Sequence, residues 1–283
     1  MSAVLIFARF TLREAVRKKM VLGVLLLSAL FVGMYAYGFS SLRSNFTERV
    51  ATGDEPPIDF AVFASVMVQL GFYTVNFLSG VMAIFASVGS VAGEVDAGTF
   101  HAIVPKPVRR WHIVVGKWLG YAVMLTVYVS LMCLSVLVVS RSIGGYVPPN
   151  MVSASALVVL VSLVLLSLTI LGSTFFSSLT NGIVVFMLYG VALMGGVVEQ
   201  IGRFLQNDTL TNIGVITSLI IPSDVVWRLA SSLLQRTGDL SVQVIQTPFT
   251  ASVQPSPPMV VYATCYALVA VCLSTWVFSR RDL

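Results

Sequence analysis

Gly93–Lys117 reads GEVDAGTFHAIVPKPVRRWHIVVGK and lies between two apolar runs, each long enough to cross a bilayer. It holds two acids (Glu94, Asp96), four bases (Lys106, Arg109, Arg110, Lys117), both histidines of the chain, and Pro105 and Pro107. No other interior stretch sets charge, Gly and Pro so densely against hydrocarbon on both sides. Charge is costly inside a bilayer, and irregular backbone finds no water there. The stretch therefore reads as a polar hairpin between two membrane spans, built to touch a soluble partner.

The composition of the whole chain agrees. Apolar residues make up 57% and charged residues 10% of the 283, against roughly 45–50% and about 25% in a soluble domain. The expectation is a polytopic all-α membrane protein forming a single transmembrane domain over residues 1–283. Cys133, Cys265 and Cys272 all fall in apolar runs, so they give no disulfide framework and no zinc site.

Outward from the hairpin, the charge pattern predicts six spans: Met20–Ser40, Phe60–Ala92, Ile113–Val139, Val152–Leu171, Ile183–Val198 and Met259–Phe278. Each is near or above the ~20 residues that cross the hydrocarbon, except the shorter fifth. The second is too long for one untilted crossing, so it either projects or bends, with Gly71, Gly80 and Gly89 as bend sites. Lys117, near the start of the third span, is placed to snorkel to the interface. Ahead of the spans, residues 2–19 carry an apolar stripe (Leu5, Ala8, Leu12, Ala15, Val16) beside Arg9, Arg13 and Arg17. That pattern predicts a helix in the headgroup plane, its bases near anionic lipid and Glu14 paired with Lys18. Residues 43–59 read as a polar loop. Residues 199–258 read as a segment on the opposite, outer side with two helices too short to cross singly, re-entrant or interfacial, the second capped by Ser223 or Asp224.

Six spans put residues 2–19, the 93–112 hairpin, the 173–182 turn and the tail on one side. Eleven of the 17 bases lie there: Arg9, Arg13, Arg17, Lys18, Lys19, Lys106, Arg109, Arg110, Lys117, Arg280 and Arg281. By the positive-inside rule that side is cytoplasmic, with both termini, in a cytoplasmic (inner) membrane.

The motifs that would give this chain its own chemistry are absent. There is no GxxxxGK[ST] loop and no HExxH, and no Asp, Glu, Lys or Arg lies in the middle of an expected span. That argues against an ion-coupled carrier or an intramembrane protease. No catalytic residue, metal site or nucleic-acid partner is expected. Energy for any uphill movement must enter from outside the chain.

Gly93-Glu94, Gly98-Thr99, Pro107-Val108-Arg109-Arg110 and Val115-Gly116-Lys117, in that order between spans two and three, resemble the signature of ABC-2 type permeases. The resemblance covers essentially the full length and extends to the layout: an N-terminal amphipathic helix, a long second span, and helices before the last span. It implies the six-span fold of this family, also described as type V exporter-like. The general kind includes the permease of the nitrous-oxide reductase maturation system, which no residue here singles out. In such permeases the hairpin holds a coupling helix that docks on a separate ABC ATPase subunit, so ATP and Mg would bind the partner and no cofactor this chain. Two permeases, identical or paralogous, join two ATPases, and substrate passes between the permeases.

On the residues themselves, Gly98 or Thr99 can cap a short helix over Thr99–Val104, which Pro105 and Pro107 would stop. Phe100 and Ile103 offer an apolar knob with His101 beside it. Arg109 and Arg110 suit either a partner's acidic surface or plain interfacial anchoring. Glu94 reads either as a solvated span-end carboxylate or, by the resemblance, as a contact to the N-terminal helix or the coupling loop. In the second span Gln69, Tyr73, Asn76, Gly80, Ala83, Ser87 and Ser90 recur at alternating steps of 4 and 3 and share a face. That face either packs against another helix or lines the path. Phe186 and Tyr189 on the fifth span form a similar stripe and suit an amphipathic or hydrophobic substrate. The reading is an exporting or flipping permease; the alternative is a non-transporting membrane anchor or assembly component. An ATPase gene beside this one would separate the two.

Overall fold

A computed structural model describes residues 3–53, 60–93, 110–235 and 258–280 of the chain. These form nine α-helices: α1 (Ala3–Arg17), α2 (Lys19–Ala51), α3 (Phe60–Ser87), α4 (Arg110–Val139), α5 (Met151–Gly172), α6 (Ser178–Phe204), α7 (Asp208–Ile220), α8 (Ser223–Leu234) and α9 (Pro258–Arg280). Among the described residues there is no strand. Six helices, α2 to α6 and α9, are long and apolar enough to cross a membrane.

α5 carries no charge and lies at the centre, against α3, α4, α6, α8 and α9. Val158, Val161, Leu165 and Leu166 have no exposed surface. α2 and α9 are peripheral, and Leu26, Leu30, Met34, Val261, Leu268 and Trp276 point outward as a bilayer-facing surface requires. Successive spans run in opposite directions, so the bundle has an α1 end and a far end.

Several boundaries differ from those read in the sequence. α2 continues into the expected loop as far as Ala51, and aromatic rings fasten it to α3 there: Phe39 and Phe46 both meet Phe60, and Phe46 also meets Phe63. α3 stops at Ser87, and the rest of its apolar run turns over residues 88–91. α4 starts at Arg110 and ends in a widened helical turn, Ser140–Gly144. A side chain at Gly144 would strike the Phe39 ring, 2.5 Å from the position of a Cβ, and Gly145 closes the turn in the left-handed region. α6 extends to Phe204, which brings Glu199 and Arg203 into the span.

α7 and α8 meet at an angle of 103°. α7 packs antiparallel along α6 through glycines, with Gly195 against Thr217, Glu199 against Gly214 and Gly202 against Thr211. Small residues let membrane helices approach this closely. α8 is buried over most of its length, and Gln69 donates to the Ser231 hydroxyl. Tyr73 packs edge-on to Trp227, ring centroids 5.7 Å apart. At a rise of 1.5 Å per residue, Gln69 and Tyr73 lie roughly 14–20 Å along α3 from its far end, so α8 re-enters the bundle. The expected cap is not made: Pro222 occupies the N-cap position of α8, and Asp224 turns its carboxylate to Arg228 instead.

Candidate functional site

The hairpin that organises the sequence follows the turn after α3 and ends where α4 begins at Arg110. Glu94, Gly98, Thr99, Phe100, His101, Ile103, Pro105, Pro107 and Arg109 lie outside the described residues; Arg110 opens α4. Both roots of the hairpin are described, and they set the site.

A helix leaves its last carbonyls without helical partners, and here the carbonyls of Ala86, in the last turn of α3, and of Val88 and Ser90, in the turn that follows, are taken up by side chains from elsewhere. Each is met by a different element. Lys18, the single extended residue between α1 and α2, donates to the Ala86 carbonyl at 3.2 Å and to the Tyr121 hydroxyl at 2.9 Å. Asn181 of α6 donates to the Val88 carbonyl at 3.1 Å and to the Thr169 carbonyl of α5 at 3.0 Å. Lys117 of α4, only 5% exposed, donates to the Ser90 carbonyl. The Ser90 and Ser173 hydroxyls are 3.1 Å apart. Lys117 therefore turns inward rather than snorkelling to the interface. Burial works against the Lys18 charge, but the Tyr121 hydroxyl and the Glu14 carboxylate outweigh it and hold its pKa above the ordinary lysine value.

α1 does not lie apart from the bundle. It packs along α4, where Gly116 and Gly120 admit its backbone: a Cβ on Gly116 would sit 2.6 Å from the Phe7 Cβ, and one on Gly120 2.7 Å from the Ala8 carbonyl oxygen. Thr11 and Ala15 are buried in this seam, while Leu5, Phe10 and Val16 remain exposed with Arg9, Arg13 and Arg17.

Within the protomer, Gln69 and Asn76 are buried. Asn76 accepts the Tyr189 hydroxyl through its backbone carbonyl at 3.3 Å, and Gly80 leaves room for the Tyr189 ring. Tyr73 is half-buried beside Trp227. Phe186 is 42% exposed and stacks on Phe85; Phe77, 38% exposed, stacks on Tyr189. The exposed seam between α3 and α6 is thus aromatic.

The far end holds a buried ionic chain. Glu199 pairs with Arg203 at 2.7 Å and with Arg228 at 2.9 Å, and Arg228 pairs with Asp224 at 2.9 Å. Arg228 also donates to the Ser218 hydroxyl at 3.1 Å. The network joins α6, α7 and α8, and the Asp224 carboxylate fits only because Gly196 has no side chain. Among the described residues no three His, Cys, Asp or Glu side chains group as metal ligands do.

A family model described as ABC-2 family transporter protein matches residues 6–283. The chain belongs to the ABC-2 transporter family. A comparison with curated proteins found no match. The permease is a multi-pass membrane protein and the non-catalytic membrane subunit of an ABC transporter; ATP hydrolysis lies on a partner, and permeases of this family work with ABC ATPase subunits.

The motif reading found the hairpin but not the side chains that hold its roots. Lys117 stands in the Val115-Gly116-Lys117 element but reads as an interfacial anchor, and Asn181, a polar residue near the start of an apolar run, is not singled out. The far-end network was more legible, since Glu199–Arg203 and Asp224–Arg228 each stand at i,i+4 spacing. What sequence spacing does not give is Arg228 bridging two helices.

Proposed function

We propose that the permease exports or flips an amphipathic or hydrophobic substrate across the cytoplasmic membrane. It is energised by a separate ATPase subunit, with its ATP and Mg, docking on the 93–112 hairpin. The α1 end is cytoplasmic, with residues 2–19 and the tail on that side, because it carries most of the bases. A second copy or a paralogue completes the path, which runs along the α3–α6 seam. Phe186 meets the substrate there with Phe77 and Phe85, Tyr73 at the edge, and Gln69, Asn76 and Tyr189 behind them. In the hairpin Phe100 and Ile103 form the docking knob, and Glu94, His101, Arg109 and Arg110 flank it. The observation that carries this reading is the exposed aromatic seam, which offers rings and no charge to whatever passes. The exposed bilayer-facing apolar surface of α2 and α9 belongs to lipid.

Cross-linking in a background without Cys133, Cys265 and Cys272 tests it. Phe77→Cys and Phe186→Cys should each join two copies through a short thiol reagent in native membranes. Leu268→Cys, on the lipid-facing surface of α9, is the control for reagent access. If Leu268→Cys reacts and neither seam position cross-links to a second copy or to a cysteine placed on the facing paralogue, the path runs elsewhere.

A further inference from the structure

The hairpin can move the spans only if its roots are stiff. A turn over residues 88–91 would be a soft joint if water satisfied its carbonyls. Side chains take two of them, and the Ala86 carbonyl just before the turn, each from a different part of the bundle; Lys117 and Asn181 are buried and Lys18 partly so. Ser90 is held by α4, Val88 by α6, and Ala86 by the residue that joins α1 to α2.

The choice of donor is telling. Burying an ammonium group is expensive, and a lysine needed only as an interfacial anchor would extend outward. Lys117 is buried just past the C-terminal end of α3, on the Ser90 carbonyl, where the negative end of the helix dipole favours a cation nearby. Its bond to Ser90 ties one root of the hairpin to the other. Asn181 spends its amide on the Val88 carbonyl, in the turn after α3, and on the Thr169 carbonyl of α5. That placement requires Gly172, since a Cβ there would come within 2.2 Å of the Asn181 Oδ1. Lys18 adds α1, which the Gly116–Gly120 seam already fixes to α4.

We propose that Lys117, Asn181 and Lys18 are positioning residues for transport coupling. By taking the carbonyls at the end of α3 they fasten both hairpin roots to α1, α4, α5 and α6. A displacement of the hairpin then reaches those helix ends as one rigid piece. The proposal rests on the ATPase docking at residues 93–112 described above, and the test separates the two.

The permease is purified with its ATPase subunit, reconstituted in liposomes, and the ATP hydrolysis rate is compared with that of the ATPase alone. Lys117→Met and Asn181→Ala should retain the ATPase at wild-type stoichiometry, yet shrink the permease-dependent change in rate by about fivefold or more. Lys117→Arg, which keeps the charge and the donor, should recover most of it. Amide hydrogen exchange over residues 84–93 should quicken in Lys117→Met and not in Lys117→Arg. Asn181→Ala carries the test alone if Lys117→Met does not fold.

Unchanged coupling in both variants overturns the proposal. So does a loss in Lys117→Met that Lys117→Arg does not recover. Release of the ATPase by either variant also overturns it, because the residues would then serve docking. Failure of the docking reading looks different: the double variant Phe100→Asp/Ile103→Asp would keep its ATPase.

Discussion

At the α1 end, three backbone carbonyls receive an amide and two ammonium groups from three other elements. At the far end, four charged side chains pair with one another across α6 and α8. Both arrangements bind a break in helical structure to the bundle, the turn after α3 in one case and the bend between α7 and α8 in the other. They differ in what remains when one member is removed. A lost lysine leaves a neutral carbonyl that a water can reach as the turn relaxes. A lost Arg228 strands the Asp224 carboxylate, which has little solvent exposure, and leaves Glu199 with Arg203 alone. The far end is therefore held chiefly for stability, and the α1 end is better suited to carry movement.

The largest effect is expected at Arg228. Arg228→Met leaves Glu199 with only Arg203 and Asp224 with no cation, a change that costs about 3–5 kcal/mol where a buried pair is broken. The melting temperature of the purified permease should fall further than in any substitution at Lys18, Lys117 or Asn181. Removing the charges together, as Glu199→Gln, Asp224→Asn and Arg228→Met, should recover much of the loss, because Arg203 is 40% exposed and can turn to solvent. If the triple variant melts no higher than the single one, uncompensated charge is not what the network guards against.

The sequence carried the fold because charge is so scarce in it: where bases, acids and prolines cluster, a span must end. It therefore placed six spans and the hairpin, and the order of Gly93-Glu94, Gly98-Thr99 and Gly116-Lys117 pointed to the family. The ends of the spans were harder to place. α2 runs eleven residues beyond Ser40, where rings on two helices meet, and only the tertiary structure brings Phe46 to Phe60. Lys117 read as an interfacial anchor for a similar reason. A lysine near a span's start snorkels unless an acceptor lies inward, and that acceptor, the carbonyl of Ser90 27 residues earlier, is free only because α3 ends before it. The polar stripe on α3 was visible as a stripe, but its partners, Ser231 and Tyr189, come from α8 and α6.

A smaller effect is expected where α8 meets α3 through neutral groups. Gln69→Leu removes the donor to Ser231, and a hydrogen bond of this kind contributes about 0.5–1.5 kcal/mol net. In a double-mutant cycle with Ser231→Ala, the coupling should fall in that range and depend little on salt. A coupling as large as the Arg228→Met penalty would mean that α8 is held as strongly by its neutral contacts as by its charges. The division between network and packing at the far end would then have to be redrawn.

The smallest effect is expected at the Glu14–Lys18 ion pair, the one ion pair of the α1 end among the described residues. Glu14 and Lys18 are 3.5 Å apart, with side chains 40% and 26% exposed. Exposed i,i+4 pairs contribute about 0.3–0.5 kcal/mol, and salt at physiological strength screens them over about 8 Å. Glu14→Gln leaves Lys18 its two other partners, the Ala86 carbonyl and the Tyr121 hydroxyl, so the cation is not stranded. Stability should change by less than about 1 kcal/mol, the change should vanish at high salt, and permease-dependent ATP hydrolysis should be unaffected. A loss in Glu14→Gln matching that of Lys117→Met would show that Lys18 works through its carboxylate partner rather than through the α3 carbonyl. The α1 end would then be a second salt-bridge network, and the contrast between the two ends would disappear.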